Sequence, residues 1–134
     1  MDILFIVLGF AASGYTAYKF FQAGKFKATT PRQGLLEAGF GWVEKTPFAA
    51  VRLIAWLEII GAIGLVLAPV GYLLGYSWAI WFAIAAGVGL ALTMVGAMWV
   101  HGARGEAKYT FKMNLSLLGF AALSAGLWAA VALI

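Results

Sequence analysis

Four apolar runs fix what this chain can fold into, each close to the roughly 20 residues that an α-helix needs to cross a hydrocarbon core about 30 Å thick. They cover Ile3 to about Phe21, Phe48 to about Leu73, Trp78 to about Val100, and Met113 to Ile134. Backbone amides cannot be left unpaired in lipid, so runs of this kind cross as helices. Composition agrees: 64% of the 134 residues are hydrophobic and 10% are charged, against about 25% charged in a soluble domain. A chain so poor in charge cannot cover a small sphere in water. The expectation is one domain over residues 1–134, all-α, an integral membrane four-helix bundle.

The first run could be confused with a signal peptide, because Ala11-Ala12-Ser13 imitates a cleavage site. Only Asp2 precedes it, and the positive charges follow it at Lys19, Lys25 and Lys27, the reverse of a signal peptide's order. It is read as a mature helix.

Charge placement sets the expected orientation. Lys19, Lys25, Lys27, Arg32, Lys45 and Arg52 lie in or beside the long first connection, and Arg104, Lys108 and Lys112 in or beside the third. These nine are all the Lys and Arg in the chain, and the second connection and both tails have none. Basic connections stay cytoplasmic, so connections one and three belong there and both termini outside. A multi-pass place in the plasma membrane is the expected location. The net charge of +4 reads as topology and attraction to anionic headgroups rather than nucleic-acid binding.

The connections carry their own signals. Thr30-Pro31 looks like an N-cap with Pro at the first helical position, opening a short amphipathic helix from Pro31 to Ala38. Phe40 and Trp42 suit the headgroup level, as do Tyr72, Tyr76, Trp78 and Trp81 at the opposite interface. Small residues that let helix backbones approach mark packing faces: Gly9, Ser13 and Ala17 on the first helix, Gly61, Ala62 and Gly64 on the second. The third has Ala85, Gly89, Thr93 and Ala97, each four residues on from the last, and the fourth has Gly119, Ala122, Gly126 and Ala130.

Glu58 stands out chemically. It lies six residues beyond Arg52, roughly 9 Å into the helix. Ionisable groups inside a span are costly, face the bundle and have partners. Its neighbours at i+3 and i+4 are Gly61 and Ala62, so it shares the close-packing face. Lys19, with Tyr15 one turn above it, His101 and Asn114 supply one polar group from each other helix in the same half. The expectation is that these four converge on a polar pocket, with Glu58 as carboxylate and His101 as the group titrating near neutrality. Such a pocket would bind a quinone carbonyl or a lipid headgroup, or move a proton. The alternative is a structural network, with Glu58 paired to Lys19 or a hydroxyl. The chain has no cysteine and one histidine, which excludes thiolate metal sites, Cys-based redox relays and a bis-His haem. No metal motif, phosphate loop or nucleophile elbow is present, so the isolated chain is not expected to be an enzyme or to carry an intrinsic cofactor.

Leu36-x-x-Gly39-Phe40, the run from Trp56 to Leu65 with its Glu58-x-x-Gly61-Ala62, Ala85-Ala86, and the run from Gly89 to Ala97 with its Met94-x-Gly96-Ala97, together with His101, make the chain resemble the DoxX-like family of small bacterial membrane proteins. The resemblance spans nearly the whole chain and implies a four-helix membrane bundle. The family's name comes from a small subunit of a thiosulfate:quinone oxidoreductase, and relatives are linked to membrane-associated oxidative-stress complexes and, in distant animal proteins, to receptor assembly. The function it implies is an accessory or assembly subunit packed against a larger membrane protein or complex, or against itself. A quinone-linked or lipid-binding redox subunit comes second. An oligomeric carrier of protons or small molecules comes third, because transport scaffolds usually carry internal repeats and none is seen.

Overall fold

The computed structural model describes residues 3–38, 43–44, 46–103 and 107–133, with side chains throughout except at 100–103 and 107–113. Five helices follow in order: α1 (Ile3–Thr29), α2 (Arg32–Glu37), α3 (Phe48–Leu73), α4 (Ala79–Ala103) and α5 (Ala107–Leu133). No strand occurs among the described residues. α1, α3, α4 and α5 are long and apolar enough to cross a membrane, with spans at Ile3–Thr29, Phe48–Leu73, Ala79–Trp99 and Asn114–Leu133.

The four spans form a ring. α1 packs on α3 and α5, and α4 packs on α3 and α5, so α1 faces α4 and α3 faces α5 across the core. Small residues set the close approaches. A Cβ on Gly24 would lie 2.8 Å from the Ala55 carbonyl oxygen, and one on Gly61 2.8 Å from Leu90. One on Gly87 would lie 2.9 Å from Ala125, and one on Gly64 3.4 Å from the Ala86 methyl. These pairings run antiparallel, which brings the C-terminal ends of α1 and α4 and the N-terminal ends of α3 and α5 to one end. The inward stripe of α5 is Asn114, Ala121, Ser124, Ala125, Trp128 and Val131, spaced by three and four as for one helix face.

α1 and α5 are longer than hydropathy indicates. α1 continues about two turns past Phe21 to Thr29, and α5 begins at Ala107 rather than near Met113. Hydropathy finds the segment that lipid covers, whereas the helix persists wherever backbone bonds and inward contacts continue. In α1 the buried positions Phe20, Gly24 and Lys27 extend the stripe of Ser13, Thr16 and Ala17.

The connections close tightly. α3 runs through Pro69 to Leu73 and stops in a Schellman motif: Tyr76 N–H donates to the Gly71 carbonyl, Gly75 N–H to the Tyr72 carbonyl. Gly75 takes φ +107°, which only glycine adopts freely. The first connection folds back as a cap, with Leu35, Val43 and Val51 fully buried together. Its short helix starts at Arg32, with Pro31 itself as N-cap and no side-chain capping bond. Thr30 is therefore not the cap that its place before Pro31 suggests. The expected interfacial aromatics Phe40 and Trp42 lie outside the described residues. Tyr76, Trp78 and Trp81 are exposed, and Tyr76 and Phe82 both meet the Trp78 ring edge-on.

Candidate functional site: a buried ion pair at the basic end

Glu58 sits on the inward face of α3 with Val51, Ala55, Ile59, Ala62 and Leu65 and is 1% exposed. Its partner is Lys27, whose Nζ donates to Oε1 at 2.6 Å. The lysine is buried as well. Lys27 reaches it because α1 runs on to Thr29 and because Gly24, one turn earlier, brings the α1 backbone against Ala55 and Ile59. The Glu58 Oε2 has no hydrogen-bond partner among the described residues.

Arg52 finishes the same seam. It donates to the Lys27 carbonyl at 3.0 Å and the Thr30 carbonyl at 3.2 Å, satisfying acceptors that the end of α1 leaves unpaired. Its guanidinium stacks 4.4 Å from the centre of the Phe48 ring, a cation–π arrangement. Arg32 lies over Phe48 at 5.5 Å and donates to the Val43 and Glu44 carbonyls at 2.6 and 3.2 Å. Two arginines thus bind the first connection to the helix ends.

Among the described residues, no hydrogen bond or ion pair joins any two of the four residues expected to converge. Lys19 faces outward, 5.7 Å from the centre of the Tyr15 ring; it does not pair with Glu58. The reason is register: position 19 lies on the lipid side of α1, whereas 20, 24 and 27 point inward. Asn114 is buried on α5, and its Nδ2 has no partner among the described residues. The Thr16–Ser124 contact fixes the antiparallel register of α1 and α5. Counting about ten residues, roughly 15 Å, from each brings Asn114 level with residue 26, beside Lys27. Asn114 and Glu58 therefore approach one depth from diagonal helices. His101 belongs to the last turn of α4, and its side chain lies outside the described residues.

Of the small residues expected to pack, Gly61, Ala62 and Gly64 lie against neighbouring helices, and Ala97 packs against the core. Gly89 does not: a Cβ there would meet nothing within 4 Å. Thr93 turns its hydroxyl back to the Gly89 carbonyl at 2.9 Å. Spacing by four identifies one helix face, but not which way that face points, and here part of it points out of the bundle.

The opposite half holds a polar set that the sequence reading passed over. Trp128 Nε1 donates to Ser13 Oγ at 2.7 Å. Ser124 donates to the Phe120 carbonyl at 2.8 Å, so its single proton is used and Thr16 is the donor in their 3.3 Å contact. Among the described residues no group of His, Cys, Asp and Glu could hold a metal.

Four apolar antiparallel spans, with the Lys27–Glu58 ion pair buried among them, define a multi-pass membrane protein. Residues 11–126 match the DoxX-like family, and the chain belongs to it. Comparisons with curated proteins and with solved structures give no match.

Proposed function

We propose that this protein is an accessory or assembly subunit of a membrane-associated, redox-linked complex, seated in a bacterial inner membrane with its basic end in the cytoplasm. The observation that carries this reading is a contrast between inside and outside. Inside, Lys27 and Glu58 neutralise each other within a close-packed seam. Outside, α4 presents Ala85, Gly89 and Gly96 to the lipid, with open space around both glycines, a surface on which another helix can come close.

The test is a photo-crosslinking residue at Leu92, which is exposed on α4, compared with the same residue at Leu53 on α3, in native membranes. The reading expects one discrete protein adduct from position 92, absent from position 53 and lost in Gly89→Leu. Adducts to lipid alone from both positions would overturn it. An adduct of twice the chain mass would identify a second copy as the neighbour. The chain has no cysteine, so single cysteines at Lys25 and Ser77, labelled from each side of intact cells, test the orientation cleanly.

A second reading is favoured by one observation: the Glu58 Oε2 and the Asn114 Nδ2 are both buried and unpartnered among the described residues. A quinol or lipid headgroup between them would donate a hydroxyl to the carboxylate and accept from the amide. Neither groove beside α1 includes Glu58 or Lys27, which ranks this second. Quinone or lipid that co-extracts with the wild type and is lost in both Glu58→Gln and Asn114→Leu would raise it to first.

A further inference from the structure

We propose that the groove between α1 and α3 is a binding site for one anionic phospholipid, with an acyl chain along the groove and the headgroup at Lys25. The groove, about 390 Å³, has Gly14, Ala17 and Phe21 on one wall and Ala62, Val66 and Leu67 on the other. It exists because α1 has no bulk there: a Cβ on Gly14 would meet nothing within 4 Å. Its walls are almost wholly apolar and it opens outward, so hydrocarbon is the occupant that its chemistry accepts.

The basic end of the groove selects the headgroup. Positions 14, 18, 21 and 25 step by four, three and four and share one face of α1. Lys25 therefore continues the groove's own wall about 6 Å beyond Phe21. It is exposed and, among the described residues, has no acidic partner. That separates it from Lys27, two residues on, whose charge is used by Glu58. Tyr18, on the groove wall itself, carries a hydroxyl suited to a lipid ester, held by Gln22 one turn nearer Lys25. Gln22 Nε2 donates to the Tyr18 Oη at 2.9 Å, which leaves the Tyr18 proton free to be donated onward. Apolar trough, hydroxyl donor and ammonium thus follow in the order of acyl chain, ester and phosphate.

A second groove, about 300 Å³, lies between α1 and α5 and serves as an internal control. Lys19, beside it, sits over the Tyr15 ring and lies six residues closer to the membrane centre than Lys25.

The experiment is native mass spectrometry of the purified protein in mild detergent with equimolar phosphatidylglycerol and phosphatidylethanolamine. The wild type is expected to retain one phosphatidylglycerol in preference. Gly14→Leu, which fills the groove from an open position, should abolish retention, while Ala11→Leu in the control groove should leave it unchanged. Lys25→Gln should lower the preference for the anionic lipid about fivefold, the worth of one lysine at an anionic surface. Equal retention of both lipids by the wild type, or a preference unchanged in Lys25→Gln, would overturn the proposal. Unchanged retention in folded Gly14→Leu would do the same, and Lys25→Gln carries the test should that variant not fold.

Discussion

Helix α1 is fastened at its two ends by different chemistry. At the basic end it meets α3 through Lys27 and Glu58, a full charge pair, with Arg52 clasping its last carbonyls. Toward the other end it meets α5 through neutral groups, with Trp128 on Ser13 and Thr16 on Ser124. Both seams are close-packed at a glycine, Gly24 in the first and Gly9 in the second. The difference lies in what happens when one partner is removed. A neutral hydroxyl in a membrane helix can turn back to its own backbone, as Ser124 already does to Phe120. A buried carboxylate has no such refuge: without its cation it either takes up a proton or stays as an uncompensated charge, and both are costly. The charged seam should therefore be the costlier one to break, and the neutral seam the more tolerant of loss.

The largest expected effect breaks this comparison at its stronger end. Lys27→Met should destabilise the bundle by about 3–5 kcal/mol, the usual cost of leaving one member of a buried pair, read as a lower unfolding midpoint in mild detergent. Adding Glu58→Leu to that variant should recover most of the loss. A Lys27→Met protein within about 1 kcal/mol of wild type would mean that the pair does not hold the seam.

Next come the two glycines. Gly24→Ala puts a methyl against the Ala55 carbonyl, which is backbone, whereas Gly9→Ala meets the Trp128 ring at 2.9 Å. The Trp128 ring is buried and held by Ser13, so it yields only at some cost, but a helix backbone yields less. Gly24→Ala should therefore cost about 1–3 kcal/mol, as overpacking does, and Gly9→Ala less. Gly126→Ala, which meets nothing within 4 Å, should be neutral or slightly stabilising. Equal losses at all three would show that contact does not set the response, since helix propensity alone favours alanine at each. Arg52→Lys keeps the charge but loses the paired donors to two carbonyls. It should cost about 1.5 kcal/mol, the low end for bonds to a charged donor, because the site is partly exposed.

The four spans were legible because lipid imposes one length and one polarity on every crossing helix. Glu58 was legible as inward-facing from its neighbours Gly61 and Ala62, but its partner was not. Ending α1 where hydropathy falls, at Phe21, leaves Lys19 as the nearest lysine and treats Lys27 as loop. The signal that finds Lys27 is the stripe Ser13, Thr16, Phe20, Gly24, Lys27, which keeps helical spacing across the drop in hydropathy. The neutral seam was harder to read, because Ser, Thr and Trp are common in membrane helices and a bond between positions 13 and 128 leaves no local trace. The outward turn of Gly89 shows a further limit: spacing defines a face, and only tertiary contact decides whether that face meets protein or lipid.

The smallest effect tests the weaker seam and sharpens the comparison most. Ser13→Ala leaves the Trp128 Nε1–H without its acceptor at a fully buried ring. Interhelical hydrogen bonds in membranes average about 0.6 kcal/mol, because the separated helices also find partners. Thr16→Val removes the donor to Ser124, whose own proton stays on the Phe120 carbonyl, so it should cost no more. The two variants together should cost about 1 kcal/mol, near twice the single average with some coupling between neighbouring turns, well below Lys27→Met alone. The unfolding midpoint of the double variant settles the ranking. A loss equal to that of Lys27→Met would place the anchor of α1 at Trp128 and reduce the ion pair to a means of keeping Glu58 neutralised.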